Sequence, residues 1–300
     1  MREWVGLFLC AGVMWGGRGW WGFVVADDAN FSSAGGEFGL PMVARLCENG
    51  GMRRLLLTLD TPAANLALDE VLLDGAEAEG PGAEVLRLWE SPRPVVVVGR
   101  SSRVDLEVDV AACAARGVPI LRRSSGGAAI VAGPGCLMYA VVLSYELRPE
   151  ARGIHASHAY VLDRLAGALR SHVGRVERAG TSDLVLVDGR GEAAARKVSG
   201  NSLRVKRTHF LYHGTLLYDF DLPLIAACLK SPPRQPEYRQ ARGHREFVAN
   251  LPVSRQMLEA ALAAAWPTQG ELADWPQAHV EALVNERYGE QEWNLSDGLR

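Results

Sequence analysis

The sequence lacks the cysteine patterns of disulfide-rich and zinc-binding proteins. Its five cysteines are Cys10, Cys47, Cys113, Cys136 and Cys228. They are odd in number and widely scattered, and none lies in a CxxC or Cys/His arrangement. We therefore expect reduced thiols in a cytoplasmic protein.

The sequence also lacks a basic excess and a long apolar run. Its 35 acidic and 32 basic residues give a formal net charge of -3, which provides no overall field to attract a nucleic-acid backbone. The apolar run after Arg2 and Glu3 is too short and too interrupted for a membrane span. Neither nucleic acid nor a membrane is expected as a partner.

Residues 1–51 contain few charges and many tryptophans and glycines. One interpretation is a signal peptide that is cleaved after Ala26. The glycines and tryptophans, however, make a poor apolar helix. We predict instead a disordered or mistranslated extension that precedes a natural start at Met42 or Met52.

The rest of the chain predicts one main domain with a helical end. A length of 300 residues with 48% hydrophobic residues is sufficient for a substantial core. No linker or repeat divides residues 52–250, which we expect to form the main domain, whereas residues 251–300 read as a helical tail packed on it. Strands and helices alternate in groups, which predicts an α+β fold with mixed, mostly antiparallel sheets, covered by helices on one face.

Individual elements follow from local patterns. Thr61 and Pro62 predict the start of a helix, and VDVAACAARG predicts a helix that ends at Gly117. HASHAYVLDRLAGALRSHV has the spacing of a long helix. VPILRRSS, AAIVAG and CLMYAVVLSY predict consecutive strands that are joined by SSGG and GPG turns.

The segment RRSSGGAAIVAGPG combines two arginines, two hydroxyls and a glycine pair. Gly126 and Gly127 allow the backbone to approach a ligand, and the amides of such a turn can bind an anion. Arg122 and Arg123 add planar donors that match phosphate or carboxylate. The alternative is a simple hairpin turn flanked by surface arginines.

Three further segments carry polar residues in strand-like runs. In RKVSGNS, alternation places Lys197 and Ser199 on one face and Val198 on the other, although a strand lysine is more often a solvated edge charge. Asp183 lies near the start of SDLVLVDG. We expect it either to orient Lys197 or to begin a strand. The polar triplet of His213, Gly214 and Thr215 interrupts an apolar strand, so it predicts either a pocket lining or a hydrogen-bonded core feature.

Together these motifs resemble one family in order and spacing. The segments NLALDEVLL, LRLWESPRPVVVVGRSS, RRSSGGAAIV, GTSDL, RKVSGNS and YHGTLL are similar to those of the lipoate-protein ligases in the biotin and lipoate ligase superfamily. The resemblance covers residues 52–293, with ERYGEQEW similar to the segment that ends the family's catalytic part. It implies a biotin/lipoate ligase-like catalytic domain over residues 52–250.

The resemblance implies an ATP-dependent acylation in the cytoplasm. Lipoate or octanoate would react with ATP, with Mg²⁺ as the counter-ion, to give an acyl-adenylate. A lysine of a lipoyl-carrier domain would then take the acyl group, in E2 subunits of 2-oxoacid dehydrogenases or in the glycine-cleavage H protein. The implied catalytic residues are Lys197 and Asp183. The implied substrate- and nucleotide-binding residues are Arg122, Arg123, Ser124, Ser125, Gly126, Gly127, Ala128, Ala129, Ile130, Val131, Ser199, Gly200, Asn201, His213, Gly214 and Thr215.

Three departures from the family pattern keep other interpretations open. Ala128 replaces a third glycine, and Ala132 and Gly133 stand where a His-Asp pair is common. Few residues follow Trp293, so we expect an accessory domain to be supplied by a separate protein or to be dispensable.

The alternatives differ in the acyl donor or in catalysis itself. Related octanoyltransferases use a cysteine thioester without ATP, but their cysteine position corresponds to Thr181 or Ser182 in this chain, which leaves Cys136 as the nearest candidate. A non-catalytic lipoyl-binding relative is a further alternative. Biotin ligation is less favoured because the GRGRxG loop of biotin ligases is absent.

Overall fold

Two β-sheets organise the described residues, which are 51–187, 195–232 and 235–296 of the computed structural model. The strands are β1 (Arg53–Leu56), β2 (Val85–Trp89), β3 (Val95–Val98), β4 (Ile120–Arg122), β5 (Ile130–Ala132), β6 (Cys136–Ser144), β7 (Val176–Ala179), β8 (Asp183–Leu186), β9 (Arg196–Val205) and β10 (His209–Leu217). The helices are α1 (Pro62–Glu79), α2 (Val104–Glu107), α3 (Val110–Ala115), α4 (Ile154–Val173), α5 (Leu222–Cys228), α6 (His244–Phe247), α7 (Arg255–Ala265), α8 (Gln277–Leu283) and α9 (Gln291–Leu295), and a π-helical turn spans Val284–Tyr288. Every described residue falls within 39–300, the larger of the two units into which the chain's contacts divide.

The larger sheet has seven strands in the order β1-β2-β6-β10-β9-β8-β7, and the smaller has three in the order β4-β3-β5. β1 pairs with β2 and β3 with β4 in parallel, whereas the other neighbours are antiparallel. The predicted fold class, α+β with mixed and mostly antiparallel sheets, is confirmed.

Helices and the small sheet cover both faces of the large sheet. One hydrophobic core contains residues of α1, the small sheet and one face of β2, β6 and β10. A second core contains residues of α4 and α7 and the opposite face of the same strands. The expectation of a sheet covered on one face was therefore wrong, because alternate residues of these central strands are apolar on both sides.

Several local predictions agree with the structure, and one strand was missed. Thr61 caps α1 by accepting a hydrogen bond from the Ala64 amide at 3.1 Å, and Pro62 is the first helical residue. The helix predicted over VDVAACAARG corresponds to α3, which ends at Ala115, two residues before Gly117, and Gly117 has a φ of +63°. β7 was not predicted because its four residues, VERA, lack an apolar run.

The RRSSGG segment does not form a hairpin turn. It leaves β4 and enters β5, but these strands lie on opposite sides of β3 in the small sheet. The segment therefore crosses the end of β3, where the GR turn at Gly99 and Arg100 begins. This crossover presents the loop to the large sheet.

The helical segment after residue 250 packs on both sides of the domain. Leu258 and Leu262 of α7 belong to the same core as α4, and Val280 of α8 and Tyr288 belong to the same core as α1. The predicted N-terminal extension covers residues 1–51, of which 1–50 lie outside the described residues, and the division into a main domain and a tail stays a prediction. Within the described ranges, no helix is both long and apolar enough to cross a membrane.

Candidate active site

A cleft of about 420 Å³ lies between the RRSSGG loop and strands β9 and β10. Its apolar wall includes side chains from the small sheet, the large sheet and the helices that follow β10. These residues are Leu66, Val97, Met138, Leu217, Ile225, Leu229 and Phe247. A concave site of this size with an apolar wall and a few convergent polar groups is typical of small-molecule binding.

Lys197 is one of the cations that line the cleft, with Arg123, Lys230 and Arg239. Its ammonium Nζ lies 2.7 Å from Asp183 Oδ1, and the side chains are 26% and 11% exposed. The Tyr238 hydroxyl donates to Asp183 Oδ2 at 2.6 Å. Burial and the Asp183 carboxylate raise the pKa of Tyr238 well above its usual value, so this hydroxyl stays a donor. Asp183 thus holds Lys197 in place while remaining hydrogen-bonded itself.

Steric constraints explain why valine and glycine occupy their positions in the KVSG sequence. Lys197 pairs with Val185 and Ser199 with Leu184, so Val198 is an extra residue at a β-bulge, with its side chain fully buried. A Cβ on Gly200 would lie 2.9 Å from both Cε and Nζ of Lys197. Glycine at position 200 therefore leaves the space in which the lysine side chain folds back along β9.

Asn201 joins the SGN and HGT segments. Its side-chain amide donates to the Ser182 carbonyl at 2.8 Å, and its oxygen accepts from the Tyr139 hydroxyl at 2.7 Å. A Cβ on Gly214, the β10 residue paired with Asn201, would lie 1.8 Å from Asn201 Oδ1. Glycine in the HGT segment is thus required by the Asn201 side chain and by the Gly200 carbonyl oxygen, which would lie 2.9 Å from the same Cβ.

Arg123 shapes the loop from within. Its guanidinium donates to the carbonyls of Val97 and Ala128 at 3.1 and 3.0 Å, and also to the Gly126 carbonyl. Burial lowers its pKa to about 10, and Glu107 opposes that shift. Gly127 adopts a φ of +85°, which other residues rarely occupy. The loop is therefore preformed, and Arg123 is largely occupied by backbone carbonyls.

A buried chain of hydrogen bonds begins at His213. Its Nδ1 donates to Asp69 Oδ2 at 3.1 Å, and its Nε2 lies 2.6 Å from the Ser125 hydroxyl. Asp69 also forms a buried ion pair with Arg87 at 2.5 Å. Burial acts to raise the pKa of Asp69, but Arg87 and His213 together hold it below its usual value. Although a Ser-His-Asp order suggests nucleophilic catalysis, Ser125 is 1% exposed and does not border the cleft, so the chain orients His213.

Glu107 closes the other side of the loop. Its carboxylate accepts a hydrogen bond of 2.6 Å from the backbone amide of Ala129. Both residues border the cleft. This contact fixes the loop one residue after Ala128, the alanine that replaces the third glycine of the family pattern.

Most of the predicted site residues meet at this cleft. The residues that border it are Asp183, Lys197, Arg123, Gly127, Ala128, Ala129, Ile130, Val131, Ser199, Gly200, Asn201, His213, Gly214 and Thr215. The residues that do not border it are Arg122, Ser124, Ser125 and Gly126. Arg122 is fully buried and points toward the C-terminal segment.

Sequence reasoning missed several residues of the site. Asp69 and Arg87 lie on α1 and β2, outside the motifs from which the site was predicted. The sequence signal for each was a single charged residue within an apolar run. Glu107, Tyr238 and His244 lie in segments whose polar residues looked like an ordinary surface. Burial lowers the pKa of His244, and the nearby Lys197 lowers it further.

The cysteines of the described residues lie away from the cleft. Cys113, Cys136 and Cys228 are free and buried, and none of the three borders the cleft. Burial and the neighbouring Glu90 raise the pKa of Cys136 well above its usual value, which keeps it a neutral thiol. Thr181 and Ser182, one of which the resemblance predicts to stand in place of the transferase cysteine, border the cleft.

Metal-ligand clusters are not part of the described site. Within the described ranges, no group of three or more histidine, cysteine, aspartate or glutamate side chains is arranged to hold a metal ion. The carboxylates that border the cleft are already engaged, Glu107 with an amide and Asp183 with Lys197.

The chain matches a known protein family. Residues 61–263 match the family described as the lipoyl protein ligase A/B catalytic domain. Lipoate-protein ligase 1 of Staphylococcus aureus is 25% identical over 244 residues, which cover 78% of this chain and 70% of the relative. Octanoyltransferase LipM of Kyrpidia tusciae is 28% identical over 276 residues, which cover 80% of this chain and 97% of the relative.

A solved structure has the same fold. It is that of a bi-partite lipoate protein ligase of Thermoplasma acidophilum, described with its E2 lipoyl domain. The superposition has a TM-score of 0.68 at 24% identity and covers 83% of this chain and 98% of that one. The resemblance seen in the motifs is thereby confirmed, and the chain belongs to the lipoyl protein ligase A/B catalytic-domain family.

Proposed function

We propose that the chain is a lipoate-protein ligase that activates lipoate or octanoate with ATP and transfers the acyl group to a lysine of a lipoyl-carrier domain. The observation that carries the proposal is the placement of Lys197. Its ammonium is held by Asp183 at a cleft that also contains a preformed glycine loop and an apolar wall. A fixed cation at this point suits a reaction between two anions.

The reaction has two steps. In the first, a carboxylate oxygen of the acid attacks the α-phosphorus of ATP, and the bond to the β-phosphate breaks to release pyrophosphate. Lys197 would offset the charge of the acid and the phosphate as they approach, while the amides of the RRSSGG loop would face the nucleotide. Mg²⁺ would neutralise the remaining phosphate charge.

In the second step, the amine of the carrier lysine attacks the carbonyl carbon of the acyl-adenylate. The bond to the phosphate oxygen breaks, AMP leaves, and the amine loses a proton as the amide forms. The apolar wall of the cleft suits a hydrocarbon chain, because burying each CH₂ group contributes about 0.8 kcal/mol. We expect lipoyl-carrier domains in the cytoplasm as partners, with a separate accessory-domain protein as a further one.

A second candidate is acyl transfer without ATP. The similarity to an octanoyltransferase over most of that enzyme's length favours it. Transfer through a cysteine thioester needs a reactive thiol, whereas Cys136 is buried with a raised pKa and lies outside the cleft. This favours the ligase.

Pyrophosphate release distinguishes the two reactions. The purified protein with ATP, Mg²⁺ and lipoate or octanoate should release pyrophosphate. Lys197→Ala should abolish this release, because a stabilising charge at the phosphate is lost; removal of one such group commonly lowers kcat by about 100-fold or more. Lys206→Ala is the matched control, because Lys206 pairs with Asp74 at 2.5 Å and does not border the cleft.

The transferase predicts the opposite results. The ligase proposal fails if neither acid gives pyrophosphate, while octanoyl groups pass from an octanoyl carrier protein and Cys136→Ser stops that transfer. Binding of acid without either reaction would instead point to a non-catalytic lipoyl-binding protein.

A further inference from the structure

Arg122, the neighbour of the loop arginine Arg123, is a buried cation that does not border the cleft. It is fully buried at the end of β4. Each acceptor of its guanidinium in the described part of the chain is a backbone carbonyl. These acceptors are Gly99 (2.7 Å), Arg100 (3.1 Å), Ser102 (2.8 Å), Trp293 (2.9 Å) and Ser296 (2.5 Å). A buried charge is costly unless all its donors are satisfied, so Arg122 depends on these carbonyls staying in place.

The carbonyls belong to two separate segments. Gly99, Arg100 and Ser102 form the GR turn, which touches the RRSSGG loop because the Ser102 hydroxyl donates to the Gly127 carbonyl at 3.0 Å. A Cβ on Gly99 would lie 2.0 Å from the Gly127 carbonyl oxygen. Trp293 and Ser296 lie at the end of the described chain. One guanidinium therefore ties the C-terminal segment to the turn that supports the loop.

The main chain of Arg122 is held by the same C-terminal segment. Its amide donates to Asn294 Oδ1 at 2.8 Å, and its carbonyl accepts from the Trp293 indole at 2.9 Å. The next residue, Arg123, carries the guanidinium that shapes the loop. A shift of the Arg122 backbone would therefore displace the backbone of Arg123 and, with it, the guanidinium that shapes the loop.

A second connection joins the two regions through Glu70 of α1. Glu70 accepts from the Tyr288 hydroxyl at 2.6 Å and pairs with Arg287 at 2.9 Å. It also pairs with Arg204 of β9 at 3.2 Å, and Arg204 donates to the Ser124 carbonyl at 3.0 Å. The loop is thus connected to the C-terminal segment on both sides of Arg123, directly at Arg122 and through Arg204 and Glu70 at Ser124.

We infer that Trp293, Asn294 and Arg122 act as positioning residues for the nucleotide in the proposed ligase reaction. They hold the RRSSGG loop in its binding shape without contacting either substrate. This inference rests on the proposed function. It assigns a specific role to the segment that was expected only to pack on the domain.

Conservative variants test the inference. Trp293→Phe removes the indole donor to Arg122 and keeps the ring, and Asn294→Ala removes the acceptor of the Arg122 amide. Glu292→Gln is the matched control because Glu292 is exposed on the same helical turn. Combining the two substitutions removes both of these hydrogen bonds to the Arg122 main chain and should raise the KM for ATP by about tenfold. The KM for lipoate and kcat should change by less than about twofold, since the acid contacts other residues.

Hydrogen exchange of the loop provides a readout that does not need activity. Amides of residues 123–129 should exchange faster in the double variant than in the wild type or in Glu292→Gln, in the absence of substrate. The inference is overturned if the exchange of these amides and the KM for ATP are unchanged, or if both KM values and kcat worsen together with the melting temperature. Absence of pyrophosphate release by the wild type would count against the proposed ligase instead, and loop exchange would still decide the positioning role.

Discussion

Polar side chains around the cleft are bound to the protein before any ligand arrives. Arg123 donates to loop carbonyls, His213 is held between Ser125 and Asp69, and Asp183 holds Lys197. Side chains that are fixed in this way need little rearrangement when charge develops in a reaction. The site is therefore expected to bind its substrates through Lys197, loop amides and apolar contacts rather than by moving its charged groups.

Glu107 provides a test of this fixed loop. We expect Glu107→Ala to raise the KM for ATP by about tenfold, because the half-buried Ala129 amide loses a charge-assisted hydrogen bond. Glu107→Gln keeps an acceptor and should raise the KM less. Steady-state pyrophosphate release at saturating lipoate measures both values.

The opposite outcome for Glu107 has a clear meaning. If both variants lower the KM for ATP, the carboxylate competes with the nucleotide for the loop amide and does not support the loop. An unchanged KM in both variants would show that nucleotide binding does not depend on the shape of this loop. Either result would contradict the prediction.

At the scale of the elements, β9 and β10 pack closely because the side-chain amide of Asn201 lies beside Gly214, which has no side chain. Gly214→Ala should destabilise the protein by about 1–3 kcal/mol, because its Cβ would overlap the Asn201 side chain. Asn201→Ala removes that obstacle, so adding it to Gly214→Ala should recover part of the loss. Urea unfolding of the single and double variants should give a coupling energy of at least about 1 kcal/mol.

A glycine in a helix serves as the control for this cycle. A Cβ on Gly167 in α4 would meet nothing within 4 Å. Gly167→Ala should leave the stability unchanged or raise it by up to about 1 kcal/mol, because alanine favours a helix more than glycine does. Equal losses in Gly167→Ala and Gly214→Ala, or strict additivity with Asn201→Ala, would contradict the steric explanation.

Elements that depend on local patterns could be predicted, whereas their arrangement could not. Thr61 and Pro62 predict the start of α1 because capping depends on neighbouring residues. Alternation predicts that Lys197 and Ser199 face the cleft while Val198 is buried, although the bulge at Val198 leaves no local signal. The crossing of the RRSSGG segment over β3 is set by strand order, which residues 122–130 alone do not encode.

The same limit applies to the residues of the site. Lys197 and the glycine loop were predicted because family motifs contain them, and Asp183 followed as a neighbour in the motif order. Asp69 and Arg87 were missed because they lie on α1 and β2, and their pairing appears only when the helix packs on the sheet. Buried charges of this kind can be identified from the residues with which they pair in the folded protein, but not from the local sequence.

At the scale of the whole molecule, the core contains ionisable groups whose neutral or charged state depends on folding. His209 is fully buried, and burial lowers its pKa below the usual 6.5, although Glu77 acts in the opposite direction. Its Nδ1 lies 2.9 Å from the Thr208 hydroxyl, and its Nε2 has no hydrogen-bond partner in the described residues. The folded protein therefore favours neutral His209.

The stability of the protein should depend on His209 at mildly acidic pH. Because the pKa of His209 is lower in the folded state, the unfolded chain binds a proton first as the pH falls below about 6.5. The free energy of unfolding should thus decrease between pH 7.5 and 5.5, and the decrease should be smaller in His209→Asn by more than about 0.5 kcal/mol. Urea unfolding of both proteins at the two pH values measures this difference.

His158 and His244, whose pKa values burial also lowers, are present in both proteins and cancel in the comparison. The pKa of Glu77 lies below its usual 4.5, so this carboxylate stays ionised throughout the interval. An equal decrease in both proteins would mean that folding does not disfavour the charged form of His209, and a smaller decrease in the wild type would mean that Glu77 outweighs burial.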